Sequence, residues 1–180
     1  MARKNALALI SGSLLDNPKV KADLKRRGDK FALRICPGGG EQINKEFEKE
    51  GWPIDFGPLG RKTQNLRQRQ RARSILEQHA ADMEDLVDDL GIHAWIFIPV
   101  VDSEVGKVLS HINKDLLPIF LYNGYDHFFI YTIKANVEQK RRFYSWYWQI
   151  SRCSLDQRYV PTQFKLDPND FPEKIEVIGV

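Results

Sequence analysis

The chain has 180 residues, 42% hydrophobic and 28% charged, a composition that suits one globular domain with a proper core and excludes a disordered or fibrous chain. A net charge of +3 is too mild to mark a dedicated nucleic-acid binder. Two cysteines, Cys36 and Cys153, fit neither a metal spacing nor a disulfide framework, and so point to a reducing, cytoplasmic setting.

The first element in chain order is a buried strand over 6–10, "ALALI", ending in the turn "SGS". The apolar run is too short for a signal peptide, and the polar turn interrupts it. No other segment approaches a membrane span. A helix follows at 18–27, with Pro18 placed to open it and Gly28 to close it. "KFALRIC" (30–36) reads as a second strand buried on both faces, followed by "PGGG" and a helix over 41–51. Residues 52–65 carry two prolines, two glycines and no period, which predicts a loop.

The clearest helix covers 66–90, where Ala72, Ile75, Leu76, His79, Ala80, Met83, Leu86, Val87 and Leu90 make one apolar stripe and Gly91 is the expected stop. "HAWIFIPVV" (93–101) predicts a third strand, then a turn and a short helix containing Pro118. "HFFIYTI" (127–133) and "KIEVIGV" (174–180) predict two more strands. Strands alternating with helices argue a three-layer α/β/α sandwich with a mainly parallel sheet. There is no internal repeat and no low-complexity tract.

Two strands end in glycine turns that lead into helices, "ISGS" (10–13) and "PGGG" (37–40). In a parallel sheet such turns lie at the edge where ligands bind. There glycine admits a close backbone approach, and the next helix offers unpaired N–H groups to an anion. The reading is an anion site between Ser11–Gly12 and Gly38–Gly40. The alternative is that the glycines merely make tight turns.

At these residues the chain resembles the amino acid kinase family, in its uridylate kinase and acetylglutamate kinase branches. "LISGSLL" (9–15) resembles that family's first-strand motif, "CPGGGEQIN" (36–44) its second glycine loop, "HINKDLL" (111–117) its Asn-x-Asp motif, and "HFFIYTIKANV" (127–137) the strand leading into its nucleotide half. The resemblance implies a single kinase-like domain over 1–180, with an acceptor-type core at 1–137 and a reduced extension at 138–180. It implies a small kinase moving an ATP phosphoryl group, with Mg²⁺, to a carboxylate or phosphate acceptor such as a nucleoside monophosphate. Ser11, Gly12, Ser13, Thr132 and Lys140 would hold phosphate or nucleotide. Gly38, Gly39, Gly40, Arg61, Thr63 and Asn113 would seat the acceptor, and Asp115 would orient cations. The family's first-strand lysine is replaced here by Leu9, so Lys134 or Lys140 would substitute for it. The other reading is a non-catalytic nucleotide- or anion-binding module of the same descent, with association with RNA as one form of it. The resemblance also implies a homodimer through the 66–90 helix.

Arg67, Arg69, Arg71 and Arg73 crowd the start of that helix, while Asp82, Glu84, Asp85, Asp88 and Asp89 crowd its end. Both runs oppose the helix dipole; an anion or acidic partner near the N-terminus would compensate, and a solvated charged surface is the favoured reading. "KRRFYSWYWQI" (140–150) joins bases to aromatics, including Trp146 and Trp148, the mixture that stacks nucleic-acid bases; covering a sheet edge is the favoured reading. The four histidines have no metal spacing, and no residues are assigned to a metal.

Overall fold

A computed structural model describes residues 3–57, 60–98, 108–110, 125–142, 144–145 and 175–180. In chain order its elements are β1 (Lys4–Ile10), α1 (Pro18–Gly28), β2 (Phe31–Pro37), α2 (Gly40–Lys49), β3 (Asp55–Gly57), β4 (Gly60–Lys62), α3 (Leu66–Asp89), β5 (Ala94–Ile96), β6 (Val108–Ser110), β7 (His127–Thr132) and β8 (Ile175–Gly179). Short 3-10 turns, Gly12–Leu14 and Lys134–Asn136, follow β1 and β7. Among the described residues no helix is long and apolar enough to cross a membrane.

The main sheet has the order β5-β2-β1-β7-β8, and every pairing in it is parallel. β1 lies at its centre, with Leu9 opposite Cys36 on one side and Ile130 on the other. A strand flanked by strands on both sides and buried on both faces must be apolar throughout, which is what "ALALI" supplies. On one face Leu7 and Leu9 pack with Ile43 and Phe47 of α2 and with Ala72 and Leu76 of α3. On the other, Ala6, Ala8 and Ile10 pack with Val20 and Leu24 of α1. Helices on both faces make the three-layer α/β/α arrangement expected from the sequence.

Local chemistry sets the helix ends. Asn17 caps α1, its side chain accepting from the Lys19 N–H at 2.9 Å, and Pro18 opens the helix. Gly91 stops the chain just beyond α3 with φ +66°, a backbone that only glycine takes without strain. Gly28 does other work: a Cβ there would lie 2.6 Å from the Ile92 side chain. On the α1 face, Arg27 donates to both carboxylate oxygens of Glu176 at 3.0 Å and to Asp23 at 2.8 Å, and lies 3.7 Å from the Phe129 ring centre.

The predicted loop at 52–65 contains two strands. β3 and β4 form an antiparallel hairpin, and β4 pairs again with β6 to make a second, three-stranded sheet. Strands of three residues are too short to show alternation, so pattern reasoning passes over them. The basic start of α3 makes ion pairs within the chain: Arg67 meets Glu50, just beyond α2, at 3.0 Å and Arg71 meets Glu46 of α2 at 2.7 Å. Ala72, Leu76, His79, Met83 and Val87 of its stripe are all buried within the chain. A homodimer built on α3 would therefore use the charged outer face of that helix.

Candidate functional site

The order of the sheet decides where a ligand can sit. From β1 the chain builds outward to β2 on one side, while β7 joins on the other, so the carboxyl ends of β1 and its neighbours diverge around a crevice. A cavity of about 380 Å³ lies there. Its walls come from the turn after β1 (Ser11, Gly12, Ser13), the turn after β2 (Gly38, Gly39, Gly40) and the end of β7 (Thr132, Ile133). Leu9, Ile130 and Leu76 supply its apolar surface.

The glycines in these turns have two different duties. A Cβ on Gly12 would lie 2.3 Å from the Gly38 carbonyl oxygen and 2.9 Å from both Gln42 and His79, so glycine is required there by the approach of one turn to the other. The Gly38 N–H donates to the Ile10 carbonyl at 2.7 Å, and the His79 Nδ1–H donates to the Gly38 carbonyl at 2.7 Å. A Cβ on Gly39 would meet the Leu76 side chain at 2.8 Å. These contacts are turn-to-turn packing. Gly40 is different: nothing lies within 4 Å of its missing Cβ, and it opens α2 at the cavity wall. The first intrahelical bond closing that turn runs from Ile43 N–H to Gly39 O, and no side chain caps the N-terminus. Its earlier N–H groups are those a helix start offers to an anion.

Arg61 stands beside that helix start. The middle strand of the small sheet, β4, carries it, and its side chain is only 3% exposed. One guanidinium nitrogen donates to Asn44 Oδ1 at 2.6 Å and to the Gly40 carbonyl at 3.2 Å. The rings of Phe47 and Phe56 lie 5.2 Å and 4.6 Å from its carbon. Its other terminal nitrogen, Nη1, is buried with no hydrogen-bond partner among the described residues. Burial without a counter-charge pushes its pKa down to about 10, so the group remains a cation at neutral pH. A buried, half-satisfied guanidinium next to an uncapped helix start has the chemistry to pair with a planar anion such as a carboxylate.

The remaining predicted site residues fall into three groups. Thr132 and Lys140 line the cavity, as do all the glycine-turn residues and Arg61. Lys134 is exposed and is not part of the lining, and Thr63 is buried outside it, with a hydroxyl unpartnered among the described residues. Asn113, Asp115, Trp146 and Trp148 lie outside the described residues. Sequence reasoning missed Glu41, Asn44 and Asn136, which also line the cavity. Asn44 closes the quoted "CPGGGEQIN", and its place one turn into α2, on the face shared with Gly40, was the signal available. Glu41 is ionised and tied to Lys45 at 2.7 Å.

Fold and site together define an α/β domain with a polar cavity at the carboxyl edge of a parallel sheet. No protein-family model matches the chain, and no curated protein matches it either. Solved structures do. N-acetylglutamate synthase from Neisseria gonorrhoeae, complexed with coenzyme A and L-arginine, superposes with a TM-score of 0.58 at 12% identity, over 73% of this chain and 44% of that one. The same enzyme with coenzyme A and N-acetyl-glutamate gives 0.51 at 15% identity, over 73% and 42%. The chain thus spans less than half the length of these structures, and at such identity the likeness is one of fold.

These findings correct the kinase reading. The amino acid kinase resemblance of the four motifs is corrected by the matching structures, which are named N-acetylglutamate synthase. ATP and Mg²⁺ fall with it: the ligands named with the neighbours are coenzyme A, L-arginine and N-acetyl-glutamate. The non-catalytic nucleotide or RNA-associated alternative draws no support from them either. The physical reason lies in the glycines. Gly12, Gly38 and Gly39 are explained by turn packing, a requirement of the sheet edge that carries no information about a transferring phosphate.

Proposed function

We propose that the chain is an acyltransferase domain of the acyl-coenzyme A dependent class, and that its cavity holds the carboxylate of an amino acid or N-acyl-amino acid. The observation that carries the carboxylate is Arg61, buried, unpartnered at Nη1 and adjacent to the open N-terminus of α2. Glu41 at the same wall suits the ammonium of an amino acid, so the wall around Arg61 offers charges of both signs to a zwitterion. The cavity, about 380 Å³, is at the small end of ligand sites and matches an amino acid. Whole coenzyme A is too large for it and would present only its acyl-thioester end. The acyl-transfer part of the proposal is supported by the name of the structural neighbours, N-acetylglutamate synthase, and by the coenzyme A bound in them.

Calorimetric titration with L-glutamate, N-acetyl-L-glutamate, L-arginine and succinate, on wild type and Arg61→Met, tests the carboxylate. At least one should bind wild type and lose on the order of 10-fold or more in affinity with Arg61→Met. If none binds, or if the variant binds equally well, the carboxylate site is wrong. Release of free thiol from acetyl-coenzyme A in the presence of the amino acid that binds tests the reaction. No release above the buffer rate would remove the transferase assignment.

A further inference from the structure

We infer that Lys140 is an amine nucleophile of the cavity, a modification site that takes an acyl group from a thioester. It lies in the helical stretch 137–142 and lines the cavity at the end of β7, with Thr132, Ile133 and Asn136. Because β1 lies between β2 and β7 in the sheet, this end is across the Ser11–Ser13 turn from the end that holds Gly38–Gly40. The two cations therefore belong to opposite walls.

Lys140 differs from Arg61 in having no hydrogen bond among the described residues, and like Arg61 it has no ion pair among them. The charged groups on its own helix and on the elements around the cavity are otherwise engaged or of its own sign. On its own helix Glu138 is paired with Arg142 at 3.1 Å, and Arg141 is a cation. Lys134 on the preceding turn is a cation as well. On β8, which pairs with β7, Glu176 is bound to Arg27 at 3.0 Å. Across the cavity Glu41 is held by Lys45, and Arg61 is positive. An ammonium in such a place has neither water nor counter-charge in full measure and gives up its proton readily. Burial accordingly pushes its pKa down to about 8. A lysine desolvated in a pocket is a recognised way to make an amine nucleophilic near neutral pH.

The step balances without a further reagent. The neutral Nζ attacks the thioester carbonyl carbon, a C–N bond forms, and the C–S bond breaks. The thiolate leaves with the electron pair and takes the proton lost from nitrogen, giving a lysine amide and a free thiol. The inference uses cavity and amine alone, so it stands or falls separately from the carboxylate at Arg61.

The test is acetylation of the whole chain by acetyl-coenzyme A and by a short acetyl thioester, followed by peptide mass spectrometry over a time course from about pH 6 to about pH 9. Lys140 should be modified on the order of 10-fold faster than the surface residues Lys19 and Lys49, with a rate that rises to a plateau through about pH 8. Acetylation at Lys140 no faster than at Lys19 overturns the proposal, and so does a rate still climbing steeply at pH 9. Lys140→Arg, compared with wild type for its far-ultraviolet spectrum, should abolish the fast phase and leave the slow surface labelling unchanged. If the fast phase persists in this variant, another group is the nucleophile.

Discussion

The imidazole of His79 donates a hydrogen bond of 2.7 Å to the carbonyl oxygen of Gly38, tying the longest helix to the turn after β2. Nδ1 must carry the proton, because a carbonyl only accepts. The turn after β1 reaches the same spot, since a Cβ on Gly12 would stand 2.9 Å from the same ring. The bond thus fixes one wall of the cavity from below. His79→Leu should leave the Gly38 carbonyl unpaired and destabilise the fold by about 2 kcal/mol, read from urea midpoints. A change below the error of the measurement would mean that the turn does not depend on this bond.

Glycine substitutions should separate packing from ligand access. Gly12→Ala forces a methyl to 2.3 Å from backbone oxygen, which neither turn can avoid by a rotamer change. It should cost about 3 kcal/mol or prevent folding. Gly40→Ala meets open space and sits at the start of a helix, so it should be neutral or stabilise by about 0.5 kcal/mol. Equal effects from the two changes would contradict the division of duties among these glycines.

Asp23 should shape the acid limb of stability. Burial raises its pKa, but hydrogen bonds from Arg27, Arg26 and Tyr131 outweigh it and leave the carboxyl below its ordinary 3.8. A depressed carboxylate contributes stability above its unfolded pKa and loses it as pH falls through the lower folded value. Asp23→Asn should therefore weaken the protein by about 2 kcal/mol at neutral pH and flatten the loss of stability below about pH 4. Parallel acid limbs in wild type and variant would place the effect elsewhere.

The sign is reversed for Lys140. Its folded pKa of about 8 lies below the ordinary 10.5, so between those values the unfolded chain binds more protons. Stability should rise with pH across that window, while below about pH 8 the desolvation cost is fully present. Lys140→Met should raise the urea midpoint at pH 7 and lose that advantage by about pH 10. A constant difference between the two proteins over this range would show that the lysine is not desolvated.

The sequence by itself determined the frame. Continuous apolar runs at "ALALI" and "HFFIYT" require burial on both faces, and a stripe recurring every three or four residues from Ala72 to Val87 requires a helix against a sheet. These are local periodicities, so the parallel sheet, α1, α2 and α3 were legible within a few residues. The glycine turns were legible as the end of the sheet, where they line a cavity, for the same reason. What they hold was not, because glycine at a turn reports only that something comes close. In Gly12 that something is Gly38, and in Gly40 it is open space, a difference set by residues far apart in the chain. Arg61 is the clearest case. Its carrier, β4, is three residues long in a stretch of prolines and glycines, and its partners Gly40 and Asn44 lie on another element. That its guanidinium is buried, half-satisfied and turned to the cavity follows from the pairing of β4 between β3 and β6. Burial and missing partners are properties of the assembled neighbourhood, and only the tertiary structure decided them.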